Sequence, residues 1–243
     1  MSLKHKAFIT GASSGIGKSM VTAYLAAGYV VEGIDSAPSV FTDEPDYSHH
    51  QLDITDSVRL DALFETAEYA SGNNVLINCA GTREICRIDE LSLSLWERVF
   101  AVNVTASFVA GRAFCQQLAR QNLPGNAVNI ASVSGLMGEP DRTAYVSSKH
   151  AVIGLTKQLA LEYGRHQIRV NAIAPGVIRT PLTEPYYDNP AQMEKIQRGQ
   201  YLPVLGETQD VAQAAMYLTS PEARFVTGST LVIDGGWTIG KEL

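Results

Sequence analysis

The sequence predicts an α/β fold with a doubly wound, mostly parallel sheet of about seven strands flanked by helices. Three observations carry this expectation. Short, near-continuously apolar runs such as 7–10 and 30–34 alternate with segments of helical period. Small and acidic residues close those runs. The first run leads directly through a glycine-rich turn into an amphipathic helix. Strands that are apolar at nearly every position belong to sheets covered on both faces, and such sheets are parallel.

Taken in order, residues 7–10 form the first strand. Ile16, Met20, Ala23, Tyr24 and Ala27 recur at helical spacing, and Gly28 stops that helix. Residues 30–34 are the second strand, ending at Asp35. The 36–47 segment contains Pro38 and Pro45 and reads as loop. A short third strand, 50–52, ends at Asp53, and Leu60, Leu63, Phe64 and Ala67 mark the next helix. Asn74–Asn78 is the fourth strand, followed by one long helical stretch over 94–121 and a strand over 127–131. A helix over 145–164 and a strand over 169–173 come next. Residues 186–200 are polar and interrupted by Pro190, a pattern expected of a mobile lid. A helix over 209–218 and a strand over 230–233 close the chain. No linker, repeat or low-complexity run divides it, so residues 1–243 are expected to form one domain.

The 243 residues are 45% hydrophobic, enough for one sizeable core. A formal net charge of −6, without runs of Lys or Arg, argues against nucleic-acid or anionic-membrane partners. No stretch approaches the roughly 20 apolar residues of a membrane helix, and the N-terminus lacks a signal-peptide pattern. A cytoplasmic location is therefore expected. Cys79, Cys86 and Cys115 have neither CxxC nor zinc spacing and read as free thiols. The adjacent His49 and His50 read as strand or surface residues, so no metal is expected.

The turn Thr10-Gly11-Ala12-Ser13-Ser14-Gly15-Ile16-Gly17 sits between the first strand and the first helix. A helix N-terminus there can receive a pyrophosphate, and glycines let the backbone approach it closely. The spacing is GxxxGxG rather than GxGxxG. Asp35, closing the second strand, can accept hydrogen bonds from ribose hydroxyls and would repel a 2′-phosphate. Neither Ser14 nor Ser36 is basic, so the pattern favours NAD over NADP. Asp53 is a second, adenine-side candidate; its ordinary alternative is a turn residue.

Tyr145 and Lys149 lie four apart at the start of a helix and so share a face. An ammonium beside a phenol favours the phenolate, and such a phenol can exchange a proton with an alcohol or carbonyl oxygen. Ser132, after the fifth strand, could hydrogen-bond the same oxygen. Arg83 and Arg142 fall in segments expected to line a substrate pocket. Two guanidiniums there would suit a carboxylate or phosphate; the ordinary alternative is that both are surface residues.

These motifs together resemble the short-chain dehydrogenase/reductase family over essentially the whole chain. They are the 10–17 turn, Asn78-Cys79-Ala80-Gly81, Asn103 within Phe100-Ala101-Val102-Asn103-Val104, and Ser132. Tyr145-Val146-Ser147-Ser148-Lys149, Pro175-Gly176 and Asp234-Gly235-Gly236 complete the set in the family's order. The resemblance implies a Rossmann-type fold and an NAD(H)-dependent oxidoreductase acting on a small alcohol or ketone. It implies a catalytic set of Asn103, Ser132, Tyr145 and Lys149, with Tyr145 as general acid/base and Asn103 holding a water in a proton relay. It further implies cofactor contacts from Gly11, Ser13, Ser14, Gly15, Ile16, Gly17, Asp35, Asp53, Ile54, Ala80, Gly81, Tyr145, Lys149, Pro175 and Gly176. Ile178 and Thr180 would grip the carboxamide, and Asn78 would brace the central strand beneath the cofactor. Cys79 departs from the asparagine usual there. A homotetramer is the implied assembly, with a dimer as the alternative. The competing readings are an NADPH-dependent ketone or 3-oxoacyl reductase and a catalytically silent nucleotide-binding protein.

Overall fold

The computed structural model describes residues 5–240. Its centre is a seven-stranded sheet in the order β3-β2-β1-β4-β5-β6-β7, with every neighbouring pair parallel. The strands are β1 (Lys6–Thr10), β2 (Val30–Asp35), β3 (Tyr47–Gln51), β4 (Asn74–Asn78), β5 (Gly125–Ile130), β6 (Ile168–Pro175) and β7 (Thr230–Ile233). The helices are α1 (Gly15–Ala26), α2 (Ser57–Thr66), α3 (Leu93–Phe100), α4 (Ala106–Gln121) and α5 (Thr143–Tyr163). They are completed by α6 (Glu184–Tyr187), α7 (Pro190–Gly199) and α8 (Thr208–Thr219).

The two-residue period of a strand divides β1 between two cores. Ala7 and Ile9 point to one face, where Met20, Val21 and Tyr24 of α1 meet Val211, Ala215 and Leu218 of α8. Phe8 points to the other, against Leu60 and Phe64 of α2, Val109 and Phe114 of α4, and Leu159 of α5. Both faces are thus dry, which is why the strands read as unbroken apolar runs.

Three segments differ from the sequence reading. The expected 94–121 helix is interrupted by a π-helical turn, Ala101–Thr105. The extra residue in that turn buries Asn103, and such turns concentrate at functional sites. The third strand begins at Tyr47 rather than at His50, because Tyr47 has a slot to fill. It lies opposite β2, where a Cβ on Gly33 would strike its hydroxyl, and its ring packs on Phe41 with centroids 4.9 Å apart. The 186–200 segment, read as interrupted at Pro190, is mostly helical. Pro190 occupies the first turn of α7, where no intrahelical N–H is needed, and the Asn189 side chain caps Ala191 and Gln192.

The segment after β2 is a loop as expected, pinned by the Ser13 hydroxyl donating to the Pro38 carbonyl at 3.0 Å. Among the described residues, no helix is long and apolar enough to cross a membrane. The three cysteines are unpaired.

Phe114 is fully buried, with its ring 6.2 Å from Phe8, 6.5 Å from Phe64 and 6.0 Å from Tyr69. Phe114→Ala removes a ring that meets the other three and should lower stability by about 3–5 kcal/mol. Urea denaturation monitored by circular dichroism checks it; a loss below about 1 kcal/mol would mean that the cluster collapses onto the gap.

Candidate active site

The sheet order reverses between β1 and β4, and the crevice at such a switch point lies beyond the carboxyl ends of the strands. Each strand bordering it delivers a motif there. β1 runs into the glycine turn, β2 ends in Asp35, and β4 leads to Cys79-Ala80-Gly81. β5 leads to Ser132, and β6 ends in Pro175-Gly176.

One arm of the crevice is a groove along the glycine turn. Gly11 has φ 70°, and a Cβ there would lie 2.9 Å from the Ala80 Cα. A Cβ on Gly17 would fall on the Gly11 carbonyl. The turn therefore admits no side chain at either position. Helix α1 opens at Ser14 without a side-chain cap, which leaves its first-turn N–H groups free for an anion. Asp35 is held at the groove wall, Oδ2 accepting from Ser13 N–H at 3.0 Å and Oδ1 from Ala37 N–H at 2.9 Å.

Gly11, Ser14, Gly15, Ile16, Gly17, Asp35, Asp53, Ile54, Ala80, Gly81 and Thr180 all line this groove. Ser13 and Asn78 do not. Ser13 braces Asp35 and the following loop, whereas Asn78 lies buried and donates to Asn129 Oδ1 at 2.8 Å. Asp53 Oδ1 accepts from the Thr55 backbone and hydroxyl, and those bonds hold its carboxyl below the usual range.

The other arm is a cavity of about 290 Å³ lined by Ser132, Tyr145, Lys149, Pro175, Gly176, Ile178 and Thr180. Lys149 is buried, with Nζ donating to the Ile130 carbonyl at 2.7 Å and lying 5.6 Å from the Tyr145 ring centre. Burial pulls its ammonium down to about 8. An ammonium carries three hydrogens, and this one has a single protein acceptor among the described residues. The remaining donors face the crevice and suit paired hydroxyls such as those of a ribose.

Tyr145 opens partly onto the cavity, but burial still raises its phenol above the ordinary value, with Ser132, Arg142 and Arg83 pulling it back. Lys149, expected to lower it, is not among the groups that shift the phenol here. Ser132 Oγ accepts from Ser134 N–H at 3.1 Å. Asn103 is a strut rather than a free donor. Its Nδ2 donates to the Thr82 carbonyl and to Ser148 Oγ, each at 2.9 Å, and its Oδ1 accepts from Thr82 N–H at 2.8 Å. Cys79 lines both arms, and burial pushes its thiol up to about 12, so it stays protonated.

A family model described as enoyl-(acyl carrier protein) reductase matches residues 11–238. The chain is 31% identical to D-beta-hydroxybutyrate dehydrogenase of Rhizobium meliloti, over 96% of this chain and 98% of that one. The chain belongs to the short-chain dehydrogenase/reductase family. A solved structure of 4-hydroxyisoleucine dehydrogenase complexed with NADH superposes with a TM-score of 0.92 at 43% identity, covering 98% of this chain and 100% of that one. Another, ElxO with NADP bound, superposes with a TM-score of 0.87 at 29% identity, covering 98% and 100%. Nicotinamide dinucleotides of both kinds thus occupy this fold in its relatives.

Several residues that shape this short-chain dehydrogenase/reductase site escaped the sequence reading. Glu84 is buried, and its carboxylate accepts from Ala144 N–H at 2.6 Å and from Tyr145 N–H at 3.0 Å. It therefore caps α5 at the residue that carries the phenol. A lone Glu beyond Gly81 gives no local sign of a partner sixty residues away. Glu139 accepts from Ser134 Oγ at 2.7 Å and pairs with Arg142 Nε at 2.9 Å. Arg98 of α3 lines the groove within Coulombic reach of Asp53. Trp237 packs against Gly199 of α7 and lines the cavity.

Lys149 releases its proton near pH 8 in the fold, against 10.5 in the unfolded chain. Between those values the unfolded chain binds more protons, so this group's contribution to stability rises with pH through that window. Lys149→Met removes the penalty of burying the charge. The variant should gain stability relative to the parent at about pH 7, and the gain should shrink towards about pH 10. Paired urea titrations at both pH values check this; a difference independent of pH would show that Lys149 is not desolvated.

Proposed function

We propose that this protein interconverts a secondary alcohol and a ketone with NAD(H), and that Tyr145 is the acid–base group. The observation that carries the reading is the meeting of Tyr145, Lys149 and Ser132 in one cavity that adjoins the groove along the glycine turn. The named relatives, dehydrogenases of hydroxybutyrate and of 4-hydroxyisoleucine, support the same reaction type.

Bound nicotinamide would supply or accept the hydride. The protein's own part is to orient and to move one proton. Ser132 would hold the substrate oxygen, and Tyr145 would take the hydroxyl proton in oxidation or return it in reduction. Lys149 would bind the ribose hydroxyls next to the ring, and its charge would favour the tyrosinate. Asn103 fixes Thr82 and Ser148 and would orient a water behind Lys149. Pro175, Gly176, Ile178 and Thr180 would wall the ring, and Gly11 to Gly17 would seat the pyrophosphate on α1.

NAD is favoured over NADP by Asp35, whose carboxylate would accept from the ribose hydroxyls and repel a phosphate. The one cation lining the groove among the described residues, Arg98, lies beside Asp53. A cytoplasmic homotetramer is part of the same reading. Phe108 of α4 and Leu161 of α5 are exposed apolar residues on helices that such an assembly would pair.

Titration with NADH and NADPH, followed by nucleotide fluorescence, tests the cofactor. NADH should bind more tightly. Asp35→Asn removes the charge while keeping an oxygen for Ser13, and should narrow that preference by about tenfold or more. An unchanged ratio would remove Asp35 from selection.

Tyr145→Phe should lower kcat by at least about 100-fold and leave NADH affinity within about twofold, because only a proton donor is lost. Steady-state assays on a panel of secondary alcohols and ketones, beside the same fluorescence titration, decide it. A variant that keeps its kcat would assign the proton to another group.

A further inference from the structure

The cavity carries a feature that alcohol–ketone chemistry alone does not need: two guanidiniums in its lining. Arg83 and Arg142 both line it, and both touch Tyr186. The Arg83 guanidinium stacks over the Tyr186 ring at 4.8 Å, and Arg142 Nη2 donates to the Tyr186 hydroxyl at 2.6 Å. Both guanidiniums act on the charge of the Tyr145 phenol. They therefore stand within electrostatic reach of the reacting oxygen.

Their charges are not balanced. Arg142 pairs with Glu139, whose other oxygen accepts from Ser134. Arg83 pairs with no carboxylate among the described residues; its Nη2 donates to the Leu182 carbonyl. A guanidinium has five N–H donors in a planar fork, so most of the Arg83 fork is left for a ligand. Nearby Glu84 does not neutralise it, because the Glu84 carboxylate is taken up by the N-terminus of α5.

We propose that the substrate is a small hydroxy acid or its keto acid, with its carboxylate held on the Arg83 fork and against Arg142. This rests on the oxidoreductase reading of the same cavity. The carbinol carbon then lies at Tyr145 and Ser132, and the charged end points towards Tyr186. Glu139 sets the charge of the ligand. With its carboxylate already on Arg142, one net positive charge remains beside Tyr186, which matches a monoanion. A dianionic phosphate would meet the Glu139 carboxylate as well. The size limit follows from the cavity, about 290 Å³ in all, which the nicotinamide would share.

Binding, not turnover, provides the test. The NADH-saturated protein is titrated calorimetrically with butyrate, with butyramide as its uncharged counterpart and with butyl phosphate. Butyrate should bind roughly 10-fold to 100-fold more tightly than butyramide, the range of one or two charge-assisted hydrogen bonds. Arg83→Gln should remove most of that preference and leave NADH fluorescence titrations unchanged; Arg83→Lys should keep part of it. Butyrate binding no more tightly than butyramide, or a preference that survives Arg83→Gln, overturns the proposal. Tighter binding of butyl phosphate overturns the monoanion assignment. Failure of the dinucleotide reading shows separately as absent NADH fluorescence change, and the acid titrations are then read on the protein alone.

Discussion

The Lys149 ammonium lies inside the protein with a single acceptor among the described residues, the Ile130 carbonyl. Much of the neighbouring structure follows from that. Removing a charge from water is costly unless hydrogen bonds replace the lost solvation. Here the replacement is incomplete, and the pull of the ammonium down to about 8 expresses the deficit. A group left short of acceptors is primed to bind hydroxyls, but only if the helix carrying it cannot relax outward. The architecture therefore has to hold α5 in place by contacts that do not involve the ligand.

Three sets of contacts do so. At its start, Glu84 binds the N–H groups of Ala144 and Tyr145, placing an anion at the positive end of the helix. Close to the lysine, Asn103 reaches Ser148 from the π-helical turn and ties the helix to Thr82. Further along, Thr156 accepts from Asn129, which in turn accepts from Asn78. That buried chain links α5 to β5 and β4, so the strand leading to Cys79-Ala80-Gly81 and the helix bearing Tyr145 move as one unit. The phenol and the groove floor keep their spacing because the same asparagines hold both.

Most of this architecture was legible in the sequence because it depends on short-range rules. Apolar runs gave the strands, the 10–17 turn gave the crevice, and the Tyr145–Lys149 spacing gave one helix face. What escaped depends on distant partners. Glu84 is unremarkable until α5 arrives above it. The π turn has no local signature, and its effect is to turn Asn103 inward. Tyr47 joins β3 because Gly33, on another strand, leaves room for its ring. The 186–200 segment read as a lid interrupted at Pro190, whereas Pro190 opens the helix α7. Tyr145 shows the same limit in its electrostatics. Spacing pointed to Lys149 as the group that would lower its pKa, whereas the packed structure shows burial raising it and Ser132, Arg142 and Arg83 lowering it.

Cofactor choice and phosphate binding are mechanically joined at Asp35. Its Oδ2 accepts from Ser13 N–H within the glycine turn, and the Ser13 hydroxyl reaches the Pro38 carbonyl of the loop beyond β2. The carboxylate that would discriminate between dinucleotides therefore also stiffens the turn that would seat their shared pyrophosphate. Replacing it with a basic residue would do more than reverse a charge. It would release Ser13 N–H and loosen a turn in which Gly11 and Gly17 already leave no slack. A switch of cofactor in this fold thus calls for a second change that restores an acceptor for Ser13, which makes the acidic residue and the serine turn a matched pair rather than independent positions.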